Sequence, residues 1–379
     1  MRLIHTSDWQ IGKAFGFTDH AVREVLRDER LQAIGRLGRL AQEHGASAVL
    51  VAGDVYDLAS PSDRTLQQPI ERMRQFPAIE WHLLPGNHDP HIPNGLWDRL
   101  RRGSLPDNVR LHLTGDPAPL CAGAAWIVPS PLTRRHTAGD PTAGMDEAPT
   151  PEGAIRLGLA HGSMRSFGRD DITTHNLIAP DRAERAGLAY LALGDWHGAQ
   201  EFGSRSWYSG TPEPDGFDLG GGGGGEALLV EIEGPRALPT VSRHRTGRFI
   251  WRREHAILHG PTDIDVLETR LRGLDLDPSA VLVALHVEGA LSLAARDSFE
   301  QVIRQGVGSA LRALRVGDSA LRVEPSAADL KTIEHAGFVR SAAERLARAA
   351  ENPSDPKRDL AAAALQRLYV LYKRREERV

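Results

Sequence analysis

Five short segments of the chain each end an apolar run with side chains that can bind metal ions. Carboxylate, amide carbonyl and imidazole groups are the usual protein ligands of divalent cations. A single buried histidine or aspartate is more often a structural hydrogen-bonding group. Five such endings, one of them the rare tetrad GNHD, argue against that reading. The residues concerned are Asp8 with Gln10, Asp54 with Asp57, Asn87 with His88 and Asp89, His161, and Asp195 with His197.

The elements that must position these side chains alternate between strand and helix. Short apolar strands are predicted at RLIHTS, ASAVLVAGD, AIEWHLLPGNHD, IRLGLAHG and AYLALGDWHG, and helices over 19–44 and 63–76. This alternation predicts an α/β layered fold. In such sheets, functional groups collect at the carboxyl ends of the strands. We therefore expect the five segments to meet.

Composition narrows the class of protein. The chain has 379 residues, which favours two or three domains, and its 41% hydrophobic and 25% charged residues are ordinary for a globular protein. The single cysteine, Cys121, excludes a disulfide framework and fits a reducing compartment. The opening lacks a signal-peptide layout and no apolar run reaches membrane-spanning length, so we expect a soluble cytoplasmic protein. A net charge of −4 argues against bulk coating of nucleic acid but not against a nuclease, where metals supply local positive charge.

The order of the motifs resembles that of the calcineurin-like metallophosphoesterases. The stretches HTSDW, GDVYDLASPS and YSGTPEP are most similar to DNA-repair exonucleases of the SbcD and YhaO type. The resemblance covers roughly residues 1–215 by motif and the remainder by layout. It implies a two-sheet sandwich flanked by helices over 1–245 and two-metal hydrolysis of a phosphodiester.

The resemblance also implies a set of metal ligands. Asp54 would bridge two ions about 3.5–4 Å apart. One ion would take Asp8, Gln10, Asp54 and His197. The other would take Asp54, Asn87, His161 and Asp195.

Three further residues have implied roles beside the metals. His88 matches the residue that contacts the phosphate and protonates the leaving oxygen, which suits a side chain whose pKa lies near neutral. Asp57 and Asp89 are expected to orient the metal ligands by contacting them, without contacting the metal ions themselves.

Two ligand positions depart from the family pattern, because Gln10 and Asp195 stand where the family has histidine. Both side chains can still ligate through oxygen. A degraded site would more often show alanine, glycine or leucine. Oxygen in place of nitrogen favours harder cations, and an added carboxylate lessens the positive charge that acidifies bound water. We therefore expect a working, manganese-preferring site with an alkaline-shifted pH optimum.

The pattern changes from about residue 246. Residues 246–325 are predicted as a small α+β unit, in the place of the DNA-contacting cap of SbcD-like proteins, with a helix over 297–314 and a strand at SALRVEP. Residues 326–379 are predicted as C-terminal helices, one over 327–350 capped by Ser326. The last helix could contact an SMC-like ATPase, as in that family, or pack on its own domain, and a homodimer is also open. Its apolar positions at helical spacing are Leu360, Ala364, Leu368, Leu371 and Tyr372.

The leading interpretation is a metal-dependent DNA phosphodiesterase, an exo- or endonuclease of DNA repair. A second is a phosphodiesterase for a small substrate of the cyclic-nucleotide type, against which the extra C-terminal unit counts. A third is a non-catalytic subunit that binds DNA or an ATPase, motivated by the two altered ligands. Five arginines are candidates either for phosphate contacts or for a solvated face: Arg99, Arg101, Arg102, Arg134 and Arg135.

Overall fold

The computed structural model describes residues 1–58, 60–164, 175–217, 223–324, 329 and 337–376. The chain divides into two compact units, Met1–Phe249 and Ile250–Val379. The expected mixed α/β architecture with two large sheets is confirmed. Among the described residues, no helix is both long and apolar enough to cross a membrane.

The first sheet of the N-terminal unit has six strands. They are β1 Arg2–Thr6, β2 Ala48–Val51, β3 Glu80–Leu83, β4 Val109–Leu111, β13 Glu226–Glu231 and β14 Thr240–Arg245, in the order β14-β13-β1-β2-β3-β4. Strands β1 to β4 run parallel, and β13 and β14 are added antiparallel at one edge. Three of the predicted motifs therefore leave the same edge of this sheet, after β1, β2 and β3.

The second sheet also has six strands. They are β5 Ala118–Leu120, β6 Ala125–Ser130, β7 Ile155–His161, β10 Tyr190–Gly194, β11 Gln200–Phe202 and β12 Ser206–Tyr208, in the order β11-β12-β10-β7-β6-β5. The inner strands β12, β10, β7 and β6 are parallel, and both edge strands are antiparallel. The remaining two motifs end β7 and β10. A separate short pair is β8 Ser163–Met164 and β9 Leu177–Ile178.

Apolar side chains on both faces of the first sheet explain the layering. Ile4 and Val49 belong to a core that packs against helices, whereas Leu3 and Leu50 belong to a second core shared with strands of the other sheet. A strand buried on both faces reads as a continuous apolar run, as these strands do. The helices of this unit are α1 His20–Glu43, α2 Asp63–Arg74, α3 Leu96–Arg102 and α4 Arg182–Arg185, with single 3₁₀ turns at Cys121–Gly123 and Ala143–Met145.

The two long helices begin at side-chain caps. Asp19 accepts a hydrogen bond from the backbone N–H of Val22 at 2.9 Å, and Ser62 accepts one from that of Thr65 at 3.2 Å. Such caps satisfy backbone donors that have no partner inside the helix. Both helices begin within one residue of the predicted boundary.

The C-terminal unit contains a three-stranded parallel sheet. The elements of the unit are β15 Ile250–Leu258, α5 Pro261–Arg272, a 3₁₀ turn Pro278–Ala280, β16 Val281–Leu291, α6 Leu293–Phe299, a π-helix Glu300–Val307, α7 Gly308–Ala310, β17 Ala313–Val323, α8 Gly337–Glu351 and α9 Arg358–Glu376. The strand order is β15-β16-β17. Apolar residues of the helices, such as Ile264 and Ile303, cover one face of this sheet.

Helix boundaries in this unit differ from the predictions. The helix predicted over 297–314 begins at Leu293, after Ser292 caps it, and helical structure ends at Ala310. Strand β17 then begins at Ala313, because pairing with β16 recruits residues whose local pattern suggested helix. The proposed cap Ser326 lies outside the described residues.

The last helix packs within its own unit, in part through the predicted apolar stripe. Leu365 and Tyr369 are buried in a cluster with α8 and Leu293, and Leu368 of the predicted stripe is partly buried against that cluster. Leu360 and Leu371, which belonged to the predicted apolar stripe, are 68% and 56% exposed. The helix therefore has one covered face and separate exposed apolar positions.

Candidate metal centre

The carboxyl ends of five parallel strands meet between the two sheets. Backbone hydrogen bonds join the first two loops: the N–H of Asp8 donates to the carbonyl oxygen of Gly53 at 3.1 Å, and that of Gln10 donates to the carbonyl oxygen of Asp54 at 2.8 Å. The N–H of Gly162, after β7, donates to the carbonyl oxygen of Gly194, at the end of β10, at 3.1 Å. The site is thus built on backbone contacts between segments far apart in sequence.

Four of the predicted ligands have backbone conformations that residues other than glycine rarely adopt. The φ angles are 54° at Asp8, 43° at Gln10, 52° at Asp54 and 108° at Asp195. Positive φ costs free energy, and such residues concentrate at functional sites. These turns direct the side chains into the space between the sheets.

Two glycines of the motifs leave room for the cluster. A Cβ at Gly53, where φ is +88°, would lie 2.3 Å from His161 Nδ1. A Cβ at Gly86 would lie 2.2 Å from Asp54 Oδ1. Any side chain at either position would displace a predicted ligand, which explains glycine before both Asp54 and Asn87.

Asp54, Asn87 and His161 form the middle of the cluster. With its amide oxygen inward, Asn87 Oδ1 lies 2.8 Å from His161 Nε2, which is itself 3.6 Å from Asp54 Oδ1. With the amide turned over, its nitrogen would donate to His161 Nε2 and to both Asp54 oxygens at 2.8, 3.2 and 3.1 Å. In the first orientation the amide oxygen faces the His161 ring and the Asp54 carboxylate, and either a proton on His161 Nε2 or a bound cation would compensate it.

His161 is held in the tautomer that a metal ligand requires. Its Nδ1–H donates to the carbonyl oxygen of Ala52 at 2.8 Å, so in the neutral ring the Nε2 lone pair faces the cluster. Burial lowers the pKa of His161, but the carboxylates of Asp54, Asp8 and Asp195 outweigh burial and raise it to about 9. The surroundings of this ring therefore attract positive charge.

Asp8 supplies the clearest test of whether the residues fit a metal. It is fully buried, and its Oδ2 accepts hydrogen bonds from Ser7 Oγ at 2.5 Å and from the backbone N–H of Asp195 at 3.3 Å. Its Oδ1 has no hydrogen-bond partner among the described residues. A buried carboxylate oxygen without a donor is costly. Ligand atoms of Asp8, Asp54 and His161 lie within 4.8 Å of one another, so a divalent cation fits this set.

Asp195 faces the same cluster. Its Oδ1 lies 3.8 Å from His161 Nε2, and its Oδ2 accepts a hydrogen bond from Ser163 Oγ. The carboxylate therefore lies beside His161, and its role as a ligand of the second ion stays a prediction.

His197 lies at the other end of the cluster and is held by a residue that the sequence analysis missed. Its Nε2 lies 4.0 Å from Asp8 Oδ1, and its Nδ1–H donates to Asp215 Oδ1 at 3.1 Å. Burial lowers the pKa of His197, but the Asp215 carboxylate outweighs it and the net shift is upward. A carboxylate behind a metal-binding histidine is a common supporting arrangement. Asp215 directly follows the YSGTPEP stretch, and its position next to this family-like motif is the feature of the sequence that could have identified it.

Gln10 does not present its carbonyl oxygen to the cluster in this structure. Its Oε1 accepts a hydrogen bond from Lys13 Nζ at 2.5 Å, and its Nε2 lies 3.3 Å from His197 Nε2. Lys13 also pairs with Asp215 Oδ2 at 2.5 Å. Ligation through Oε1 would require the amide to turn over and release Lys13, so the role of Gln10 as a ligand stays a prediction.

Arg30 of α1 is a second supporting residue without a sequence signal. Its buried guanidinium donates to the carbonyl oxygens of Trp9, Asp8 and Glu213 at 2.6, 2.9 and 3.0 Å. It thereby ties the loop after β1 to the segment that carries Asp215. These partners are up to 183 positions away in sequence.

His88 stands at the mouth of the cluster, with its side chain 31% exposed. Its Nδ1 lies 3.1 Å from Asp57 Oδ1 and its Nε2 lies 4.0 Å from Asp54 Oδ2. The hydrogen bond to Asp57 is the main cause that raises the pKa of His88. Asp57 therefore contacts His88, and its expected role in orienting the metal ligands stays a prediction.

Asp89 holds two loops together. Its carboxylate accepts from the backbone N–H groups of Gly86 and Tyr56 at 2.7 and 2.9 Å. Burial, with the nearby Asp54 charge, raises the pKa of Asp89 well above its usual range. Its observed partners are backbone groups next to Asp54 and Asn87, and its role in orienting the metal ligands stays a prediction.

The candidate arginines divide into two groups. Arg99 bonds to Asp63 and to the carbonyl oxygen of Pro61, and Arg101 pairs with Asp98, as parts of the domain surface. Arg135 is exposed and close enough to His88 to oppose the rise in the pKa of that imidazole. It is therefore the better placed candidate for a substrate contact.

Comparisons with known proteins agree with this architecture. Residues 1–173 match the family model of the Calcineurin-like phosphoesterases. The chain is 28% identical over 297 residues to the SbcD component of the nuclease SbcCD of Rhodobacter capsulatus, a match that covers 63% of this chain and 69% of that protein. It is 36% identical over 92 residues to the SbcD components from Escherichia coli strains K12 and O157:H7, which covers 24% of this chain. The matched part spans about a fifth of the length of the two E. coli relatives.

The family match covers the first sheet except β13 and β14, strands β5 to β7 of the second sheet, and the cluster residues up to His161. The mixed α/β fold with two large sheets is the one that the family resemblance implied. Residues 1–173 therefore form a domain of the calcineurin-like phosphoesterase type, and the chain is similar to the SbcD components of SbcCD nucleases.

Proposed function

We propose that this protein is a metal-dependent phosphodiester hydrolase that acts on DNA. The family supports a phosphoester hydrolase that uses divalent metal ions. The observation that carries the proposal is the buried cluster of Asp8, Asp54 and His161 with the unpartnered Asp8 oxygen, because a cation would compensate these groups.

The proposed centre holds two ions, with Asp54 common to both. Bound divalent ions would supply an activated water at neutral pH and would offset the charge that develops on the phosphate. Oxygen ligands outnumber imidazoles, which favours Mn²⁺, with Mg²⁺ as the alternative. The ligands of one ion would be Asp8, Gln10, Asp54 and His197. Those of the other would be Asp54, Asn87, His161 and Asp195.

His88 would protonate the leaving oxygen. Its Nδ1–H donates to Asp57, so in the charged form its Nε2–H is available to substrate at the exposed mouth of the cluster. Asp57 keeps the ring oriented and raises its pKa, which favours the proton-donating form near neutral pH. Arg135 beside it would contact a phosphate oxygen.

DNA is the proposed substrate because the chain is similar to proteins named as components of a nuclease. The role in DNA repair and the cytoplasmic location expected from the sequence belong to the same proposal. Cleavage of bis(p-nitrophenyl) phosphate, single-stranded DNA and duplex DNA with Mn²⁺ would test it. Wild type and the surface variant Asp107→Asn should cleave DNA, whereas Asp54→Asn should not.

The alternatives give different outcomes in that experiment. Hydrolysis of the small phosphodiester without DNA cleavage would favour a small-substrate enzyme. Absence of metal-dependent hydrolysis on all three substrates would favour a non-catalytic subunit and would overturn the proposal.

We also propose that the C-terminal helices bind an SMC-like ATPase. The names of the relatives identify them as one component of a larger nuclease. Phe338, Leu360 and Leu371 are 83%, 68% and 56% exposed on α8 and α9, and exposed apolar groups favour a partner. Leu360→Glu should weaken co-elution with a purified ATPase of this type, whereas Leu238→Glu in the N-terminal unit should not. Equal binding by both variants would contradict this assignment.

A further inference from the structure

A second cluster of metal-binding side chains lies in the C-terminal unit. His255 is on β15, and His286 and Glu288 are on the neighbouring strand β16. His255 and His286 are direct partners in the parallel register, and Glu288 follows His286 by two residues, so all three project from one face of the sheet. Val287, which lies between His286 and Glu288 in the sequence, points to the other face of the sheet and is buried in the apolar core. The three side chains therefore lie on the face opposite that core.

The three side chains already approach one another. His255 Nε2 lies 3.0 Å from Glu288 Oε1, and the two imidazole rings are stacked with centroids 5.5 Å apart and planes inclined by 16°. One ligand atom from each residue lies within 4.8 Å of the others. Ligand atoms that lie about 2.0–2.2 Å from a tetrahedral ion are about 3.3–3.5 Å from one another. Side-chain rotations that move the ligand atoms by about 1 Å would therefore bring all three to the spacing that the ion requires.

The exposed positions of these residues permit those rotations. His255 and Glu288 have 52% and 41% of their side chains exposed. On its other side, His286 pairs in register with Gly317 of β17. Gly317 has no side chain, and even a Cβ at this position would lie 3.8 Å from His286 Nδ1, so the imidazole has room to rotate. Arg253 and Arg315 flank Ala284 in the next row of the sheet, so positive charge lies beside the cluster but not within it.

The donor set selects a class of metal. Two imidazole nitrogens and one carboxylate oxygen suit Zn²⁺, Co²⁺, Ni²⁺ or Cu²⁺, whereas Mn²⁺ and Mg²⁺ prefer oxygen. Three protein ligands leave one tetrahedral position for water or for a ligand from another molecule. We propose that His255, His286 and Glu288 form a metal site that is separate from the hydrolytic centre. The site would bind one transition-metal ion of borderline hardness, with Zn²⁺ as the reference ion.

Titration of the full-length chain with Co²⁺ and Zn²⁺ would test this proposal. Cobalt in a tetrahedral nitrogen–oxygen site absorbs visible light strongly, and Zn²⁺ displaces it. Excess Mn²⁺ would occupy the hydrolytic centre during the titration. The variants are His255→Asn and His286→Asn, with His259→Asn as a control because His259 is an exposed histidine of the same unit.

Wild type and His259→Asn should bind one Co²⁺ with a tetrahedral spectrum, and either ligand variant should bind it at least about tenfold more weakly. Asp54→Asn should retain the spectrum, which separates this site from the proposed function. Equal cobalt affinity and spectra in wild type, His255→Asn and His286→Asn would overturn the proposal. DNA cleavage by the ligand variants is expected to persist with Mn²⁺, so failure of one proposal leaves the other measurable.

Discussion

Replacement of Asp57 by asparagine should shift the pH dependence of DNA cleavage through His88. The carboxylate lies 3.1 Å from His88 Nδ1 and raises the pKa of the imidazole. Asparagine keeps a hydrogen-bonding oxygen but removes the charge. His88 should therefore lose its proton at a lower pH than in the wild type.

The size of the shift follows from the distance and the exposure of the pair. Two unit charges at this distance interact by about 1.3 kcal/mol at the dielectric constant of water and by about 5 kcal/mol at an effective value of 20. The lower figure is the minimum, because the side chains of His88 and Asp57 are only 31% and 17% exposed and water screens the pair in part. About 1.3 kcal/mol corresponds to about one pKa unit, which is the smallest shift expected.

A general acid loses activity as pH rises through its pKa. The alkaline limb of the rate profile for DNA should therefore move down by about one pH unit or more in Asp57→Asn, and the rate above that limb should fall about tenfold or more. Bis(p-nitrophenyl) phosphate should be affected much less, because its leaving group needs no proton. Steady-state rates on both substrates from about pH 6 to 10 would measure this difference.

Asp98→Asn is a matched control, since Asp98 forms the same kind of pair with His91 at 3.4 Å on the domain surface. It should leave both profiles unchanged. An equal loss on the two substrates in Asp57→Asn, or an unmoved alkaline limb with DNA, would refute the assignment of His88 as the proton donor.

Three further predictions concern the support and composition of the centre. Arg30→Met should lower the free energy of unfolding by about 3 kcal/mol or more in urea denaturation, since three buried carbonyl oxygens lose their donor; an unchanged midpoint would contradict this. Asp215→Asn should weaken Mn²⁺ binding in calorimetry by about 10–100-fold, because His197 loses its supporting carboxylate; unchanged affinity would exclude that role. Gln10→His with Asp195→His should lower the pH optimum and improve activity with Zn²⁺ or Ni²⁺, and metal analysis should find about two Mn²⁺ per wild-type chain; one ion or none with full activity would contradict it.

The sequence predicted the parts of the fold whose signal is local. The strands before Asp8 and Asp54 are apolar runs with polar ends, and α1 carries its own cap at Asp19. The junction between α7 and β17 was predicted wrongly, because that boundary depends on pairing with β16 rather than on local pattern.

The supporting residues of the site were harder to find. Lys13 and Asp215 meet across 202 positions of chain, and Arg30 reaches the carbonyl of Glu213 across 183. Neither contact leaves a periodicity or a motif in the sequence, since an arginine in a polar helix looks the same whether it is solvated or buried. The orientation of the Gln10 amide depends on Lys13 and could not be inferred from the residue type.

The way the centre is assembled has a consequence for the newly made chain. The cluster draws on side chains from Asp8 to Asp215, and β1 is completed at one edge by β13, with the terminal amine of Met1 donating to the carbonyl oxygen of Ile232 at 2.7 Å. A ribosome adds about 5–20 residues per second, so more than about 10 s pass between synthesis of the first strand and of its partner. During that interval the nascent chain has its first carboxylates but lacks the residues that complete the centre. The proposed metal centre therefore cannot be complete before the chain has been synthesised as far as Asp215, and fragments that end before that residue are expected to lack the support of His197.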